Sequence, residues 1–329
     1  MIKYIIKRIL LLIPVILGVI FIVFVIMKMA PGDPVYALIG TNITPEQYAF
    51  KEHELGLDRP VLIQYLLYIK NIFLHLDLGT SYSDGRAVTT IILERFPVTL
   101  RLGLLGICLP IFLGIPFGVA AAVKHDSLLD RVVCIVSLIF ASMPDFFSSV
   151  ILMLFFALKL MWVPASGIAT WKAWILPVIA VGMTPVAGVT RMTRSSMLDA
   201  IYKDYVRTAR SKGLSSWKVI THHVLKNGII PVMTDLGMQL GNIMAGAVVV
   251  ETIFNIPGIG TMLSTAITSV NYPLVQGSVA FLSVFICGIN LVIDILYAFI
   301  DPRIKAQYVK PKREKTPAAP ALEGGGANG

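Results

Sequence analysis

The sequence predicts an all-α, polytopic membrane protein with six transmembrane helices, and three observations carry that prediction. Only 14% of its 329 residues are charged while 56% are hydrophobic, with a mean hydropathy of +0.78. A soluble domain carries about 25% charged residues, because its surface must be wetted. Six apolar stretches approach the ~20 residues that a helix needs to cross the hydrocarbon core. The basic residues gather in alternate segments between those stretches. Three cysteines in so long a chain exclude a secreted disulfide scaffold, and the apolar content excludes disorder.

Residues 1–28 form the first span. Lys3, Lys7 and Arg8 precede an uncharged run from Ile9 to Met27. A signal peptide shares that outline, but its apolar region is about 7–15 residues long and ends at a small-x-small cleavage site. Here the run is longer and leads into Lys28-Met29-Ala30-Pro31, so a retained helix is expected.

Residues 29–96 are too polar to cross and read as an extracytoplasmic helical insertion. Pro31-Gly32-Asp33-Pro34 gives a rigid exit from the span, since proline fixes φ and glycine permits a tight bend. Thr44-Pro45-Glu46-Gln47 has a capping Thr, Pro at the first helical position and early acidic character. Val61 to Leu76 has helical spacing of its apolar residues.

Residues 97–301 form a five-helix core. Leu102 to Val123 is uncharged, and Gly103, Gly106, Gly114 and Gly118 give it small faces for close helix packing. Val132 to Leu158 is broken by Pro144-Asp145, and Ala173 to Thr190 carries Pro177 and Pro185. Asn227 to Val250 carries Asp235, and Gln276 to Ile300 carries Asp294. Residues 302–329, with Pro311, Pro317, Pro320 and Gly324 to Gly326, read as a disordered cytoplasmic tail.

The charges orient the spans. Nineteen of the 28 basic residues fall in the N-terminus, Lys124 to Arg131, Arg191 to Lys226 and the tail. The opposite loop, Met29 to Phe96, has five basic and eight acidic residues. Lys and Arg collect in cytoplasmic segments, so both termini are expected inside. The net charge of +9 is thus membrane topology and not a nucleic-acid footprint; no aromatic-interleaved basic patch of the strand-binding kind is present.

No catalytic or metal constellation emerges. The chain has no G-x-x-x-x-G-K-[ST] phosphate loop and no G-x-S-x-G elbow. Cys108, Cys134 and Cys287 lie singly within spans, and the consecutive His222 and His223 splay apart on a helix. Intramembrane acids are a different matter. An Asp at a helix centre costs about 2.5–3.5 kcal/mol on insertion scales and usually faces a cavity or the bundle interior. Asp145, Asp235 and Glu251, with the amides Gln239 and Asn242, are therefore candidates for a substrate path; inter-helix hydrogen bonding is the alternative for each acid. Asp294, nearer the cytoplasmic end, is expected to be structural. Six spans with intramembrane acids also suit a passive channel, although no repeated filter loop is present.

The inner loop, residues 191–230, is the most informative stretch. Met197, Ile201, Tyr205 and Ala209 recur every four residues and predict one apolar helical stripe. Gly213 is placed to end that helix, with Leu214 after it, and Ser215 or Ser216 to cap a second helix with Trp217, Ile220 and Val224 on one side. An amphipathic hairpin lying on anionic lipid and a docking knob for a soluble partner both fit this pattern.

The run Asp204-Tyr205-Val206-Arg207-Thr208-Ala209-Arg210-Ser211-Lys212-Gly213-Leu214 resembles the E-A-A-x-x-x-G signature of permease subunits of bacterial ABC importers, within the peptide/nickel branch. Pro31-Gly32-Asp33-Pro34, Glu54-Leu55-Gly56-Leu57-Asp58-Arg59-Pro60, Val163-Pro164-Ala165-Ser166-Gly167, Glu251 to Gly260 and Asp301-Pro302-Arg303 are similar to that branch in the same order. The generic signature also expects I-x-L-P, where this chain has His223-Val224-Leu225-Lys226. The resemblance implies a type I importer permease of the first-subunit type in a bacterial inner membrane. Its partners would be a second homologous permease, two ATP-binding subunits and an extracytoplasmic solute-binding protein. ATP and Mg would be bound by the ATPase partners, so this chain would be no enzyme and hold no cofactor. Asp204, Tyr205, Arg207, Thr208, Ala209, Gly213 and Leu214 would form the coupling helix, with Ala209 on the docked face. The implied cargo is peptide, with nickel complexes, glutathione or oligosaccharides as the branch's other cargoes.

Overall fold

The computed structural model describes residues 2–300 as a helical bundle. No strand occurs among the described residues, and the one β-bridge, Thr80 to Ala87, closes a turn. The tail expected at residues 302–329 lies outside the described residues, as does Asp301-Pro302-Arg303. Helix α1 runs Ile2–Met29, and three short helices follow: α2 Pro34–Ile39, α3 Pro45–Glu54 and α4 Val61–His75. The core consists of α5 Val88–Val123, α6 Leu128–Ser142, α7 Asp145–Lys159, α8 Trp171–Ile201, α9 Asp204–Ser211, α10 Ser216–Ile253, α11 Ile259–Thr268 and α12 Tyr272–Ile300. Helices α1, α5, α8, α10 and α12 are each long and apolar enough to cross a membrane. The pair α6–α7 bends by 103° at Met143-Pro144 and makes a sixth crossing if taken as one broken span. Pro144 explains the break: it cannot donate to the ladder, and it drives Met143 into extended backbone.

The outer insertion is anchored by local chemistry. Thr44 and Gln47 form a reciprocal capping box at the start of α3. Asp33 does more than shape the exit from α1. One of its carboxylate oxygens accepts from the Val35 amide at 2.8 Å, capping α2, and the other accepts from the Tyr48 hydroxyl at 2.7 Å. That bond to a carboxylate holds the Tyr48 phenol protonated and pushes its pKa up to about 12. Helix α4 lies against α1, where the Tyr65 hydroxyl donates to the Leu17 carbonyl at 3.1 Å and Phe24 packs edge-on to Tyr65.

Several boundaries differ from the sequence expectation. Helix α5 begins at Val88, so Pro97 sits inside it and not at a boundary. Helix α8 continues to Ile201, eleven residues past Thr190, and then breaks at Tyr202-Lys203. Met197 and Ile201 therefore belong to a span, and the predicted stripe through Tyr205 is not one helix. The second helix of the hairpin is not separate either. It runs from Ser216 through a π turn at Val219–Val224 directly into the fifth span.

The glycine face of α5 packs as its composition predicts. A methyl group on Gly106 would stand 2.7 Å from Val181, and one on Gly118 would stand 2.5 Å from Thr193, both on α8. Such approach lets backbones pack closely where the hydrophobic effect between helices is absent. Arg8 pairs with Asp294 at 2.8 Å, tying α1 to α12.

Candidate functional site

Two features stand out, a knob where three spans end and a polar lane along α10. The knob is built on α9. Val206 and Ala209, three residues apart, are both buried against Ala122 of α5, Met197 and Ala200 of α8, and Val219 and Val224 of α10. Three spans therefore meet under one short helix. Gly213 follows α9 with φ +74°, a conformation that costs an L-residue about 1–2 kcal/mol. Its amide donates to Arg210 O at 3.0 Å, and Leu214 folds back onto the same apolar cluster. Ser215 then caps α10 by accepting from the Lys218 amide at 3.4 Å.

The exposed side of the knob carries Asp204, Tyr205, Arg207, Thr208 and Arg210. This corrects two expectations. Ala209 faces the chain's own interior, so it does not offer a docked surface; Tyr205, placed on the apolar stripe, is exposed. Trp217, expected beside Val224, is 76% exposed and projects outward. A stripe through Met197 and Ile201 does not continue in phase along α9, because the break at Tyr202-Lys203 shifts it by about one residue.

The lane joins three elements. Asp145 begins α7 at the elbow of the broken span. The Thr184 hydroxyl of α8 donates to its Oδ1 at 3.1 Å, and Oδ2 faces Gly246 of α10, where a methyl group would stand 2.7 Å away. One turn below Thr184, Gly188 approaches the Gln239 amide, and Gln239 Oε1 accepts from Asn242 Nδ2 at 3.4 Å. Gln239, Asn242 and Gly246 follow one another along α10 at helical spacing, with Asp235 one turn below Gln239. Asp145, Gln239 and Asn242 thus line neighbouring turns of α10, whereas Asp235 lies eleven residues from Gly246, about 16 Å along the axis. Beside it α10 exposes Met238, Asn242, Ala245 and Val249, a face left uncovered by this chain.

Glu251 does not join the lane. It is fully buried, and its Oε2 accepts from the Gly260 amide at 2.6 Å. Thr99 of α5 accepts from the neighbouring Ile259 amide at 2.8 Å, and Arg95 reaches Pro257 O at 3.5 Å. Those contacts fix the turn between α10 and α11, so Glu251 clamps backbone where the sequence suggested a path. Glu251 and Gly260 are only nine residues apart, whereas the supporting contact of Thr99 with Ile259 spans 160 residues and has no local signal.

Sequence reasoning also missed a buried ion pair. Asp130, capped into the first turn of α6, receives Arg194 Nε at 2.5 Å and Nη2 at 2.8 Å. His125, Asp126 and Asp130 bring potential ligand atoms within 4.8 Å of one another, but Arg194 already occupies both Asp130 oxygens.

Comparisons with known proteins agree with this architecture. Residues 114–306 match the family model described as binding-protein-dependent transport system inner membrane component, and residues 1–103 match the model of its N-terminal region. The chain is 39% identical over 336 residues to the di/tripeptide transport system permease protein DppB of Pseudomonas aeruginosa, covering 93% of this chain and 100% of that one. It is 37% identical to the dipeptide transport system permease protein DppB of Escherichia coli K12, over 93% and 99% of the two chains. Among solved structures, an inward-facing MetNI methionine ABC transporter chain superposes with a TM-score of 0.57 at 14% identity, covering 65% of this chain and 97% of that one. That likeness bears on the fold alone.

Proposed function

Because the chain belongs to the family of inner-membrane components of binding-protein-dependent transport systems, we propose that it forms half of the translocation path for di- and oligopeptides in an ATP-driven importer. A second, homologous permease forms the other half, against the uncovered face of α10. An extracytoplasmic binding protein delivers the peptide. Two ATPase subunits bind ATP and Mg on the cytoplasmic side, where both termini of this chain lie, and hydrolysis belongs to them.

The observation that carries this reading is the construction of the knob. A helix of eight residues is held by two buried side chains onto the ends of α5, α8 and α10, with its charged side outward. Tightly packed side chains do not deform continuously, so a push on α9 moves three spans together. When ATP draws the ATPase pair closed, the two permeases' knobs approach, and the bundle passes from inward- to outward-open.

Growth provides the test. In a strain lacking its own peptide uptake, the chain and its partner subunits restore growth on a dipeptide as the only source of a required amino acid. Failure to restore growth with any di- or oligopeptide, with all subunits present in the membrane, contradicts the peptide reading.

A further inference from the structure

We infer that Asp145, at the elbow of the broken span, is the acceptor for the α-ammonium group of the transported peptide. The inference deepens the peptide-importer reading and rests on it. Among the described residues no Lys, Arg or His pairs with Asp145, whereas Asp294 has Arg8 and Asp130 has Arg194. One carboxylate oxygen accepts from Thr184, and the other packs directly against α10 at Gly246, an approach that any larger residue there would block.

The elbow strengthens the case. Helix α6 ends at Ser142, and the last carbonyls of a helix have no partner within it. These point the negative end of α6 toward the same break, which favours a cation there. Asp145 itself opens α7, whose amino end favours the ionised carboxylate. Discontinuous helices near the bilayer midplane are a physical means of exposing such groups to a cavity. Asn242 lies one helical turn below Gly246, about 6 Å along the axis, and Gln239 a further turn on, at about 10 Å, a spacing that suits the peptide bond and the groups beyond it. The lane thus offers a carboxylate for the ammonium and amides for the backbone behind it, and it leaves side chains of the cargo unread.

The experiment uses the complete importer in proteoliposomes with saturating binding protein. Uptake of a dipeptide is compared with uptake of its des-amino analogue, with stimulated ATPase activity followed alongside. Asp145→Asn is expected to slow dipeptide uptake about tenfold, the lower end for a hydrogen bond to a charged group, and to leave analogue uptake unchanged. Asp145→Glu retains most of the dipeptide rate, and both variants keep stimulated ATPase activity. Wild-type dipeptide uptake by Asp145→Asn, or an equal loss for both cargoes, overturns the inference. Should Asp145→Asn fail to assemble, Asn242→Cys with Asp145 intact decides the matter. The dipeptide then protects that thiol from an alkylating reagent and the des-amino analogue does not; equal protection by both contradicts the inference. Absence of ATP-dependent peptide uptake by the wild-type importer removes the peptide reading itself, whereas wild-type uptake with an indifferent Asp145→Asn removes only this inference.

Discussion

Single residues hold this molecule together through pairs distant in sequence. Asp130 and Arg194 form a two-point ion pair with a buried carboxylate and a partly exposed guanidinium, and removal of the arginine strands the buried charge, a loss of up to about 3–5 kcal/mol. Arg194→Ala should therefore lower the thermal midpoint in detergent by more than Asp130→Ala plus Arg194→Ala together. A double variant less stable than Arg194→Ala contradicts that account. Gly260 makes a second test. Its Cα lies against the backbone of Val248, and its amide is held by Glu251, so no side chain fits. Gly260→Ala should reduce the yield of folded protein, while Gly40→Ala, where nothing lies within 4 Å, suffers only the backbone cost of its positive φ. The ion pair was not readable beforehand, because partners 64 residues apart share no periodicity, and the Gly260 contact, only nine residues from Glu251, was hidden because it depends on the turn between two helices. The local chemistry was readable. The Thr44 cap, the Gly213 stop and the Pro144 break each act within a few residues of themselves.

At the scale of elements, α9 separates two roles that the sequence merged. Val206 and Ala209 anchor the helix, and Asp204 and Arg207 face outward. Ala209→Arg should thus lower the amount of folded protein, since a long charged side chain has no room in that cluster. Asp204→Lys with Arg207→Glu should leave membrane abundance unchanged and lower peptide uptake at least severalfold; unchanged uptake contradicts docking through this face. The sequence located the helix, its glycine end and its amphipathic character, because those follow from spacing and backbone freedom. Its phase was wrong by about a residue, because the break at Tyr202-Lys203 arises where α8 leaves the bundle, which no local pattern encodes. The continuity of Ser216 with the fifth span was hidden for a related reason: charged and apolar residues alternate around Lys226, yet the π turn carries the helix through.

For the whole molecule, topology and transport are the claims to test. If the termini are cytoplasmic and α6–α7 is one broken crossing, Met161 lies on the extracytoplasmic side and Trp217 on the cytoplasmic side, both exposed. In a chain freed of its three native cysteines, Met161→Cys should react with an impermeant thiol reagent in intact cells and Trp217→Cys only after permeabilisation. Labelling of Met161→Cys only after permeabilisation would make the pair a re-entrant loop. The distribution of Lys and Arg is what predicts this orientation, since insertion responds to charge summed over segments and not to packing. The sequence nominated Asp145, Asp235, Gln239, Asn242 and Glu251 alike by polarity, and could not separate Glu251, because burial in a clamp and exposure to a cavity leave the same residue type behind. The central claim is that this chain passes peptides only as part of an ATP-driven machine. Its most direct test is uptake of a labelled dipeptide into proteoliposomes holding the chain, the second permease and the ATPases. The account predicts accumulation that requires both ATP and binding protein, and none with this chain alone. Dipeptide entry through the chain by itself, without ATP, would contradict it and favour a passive channel.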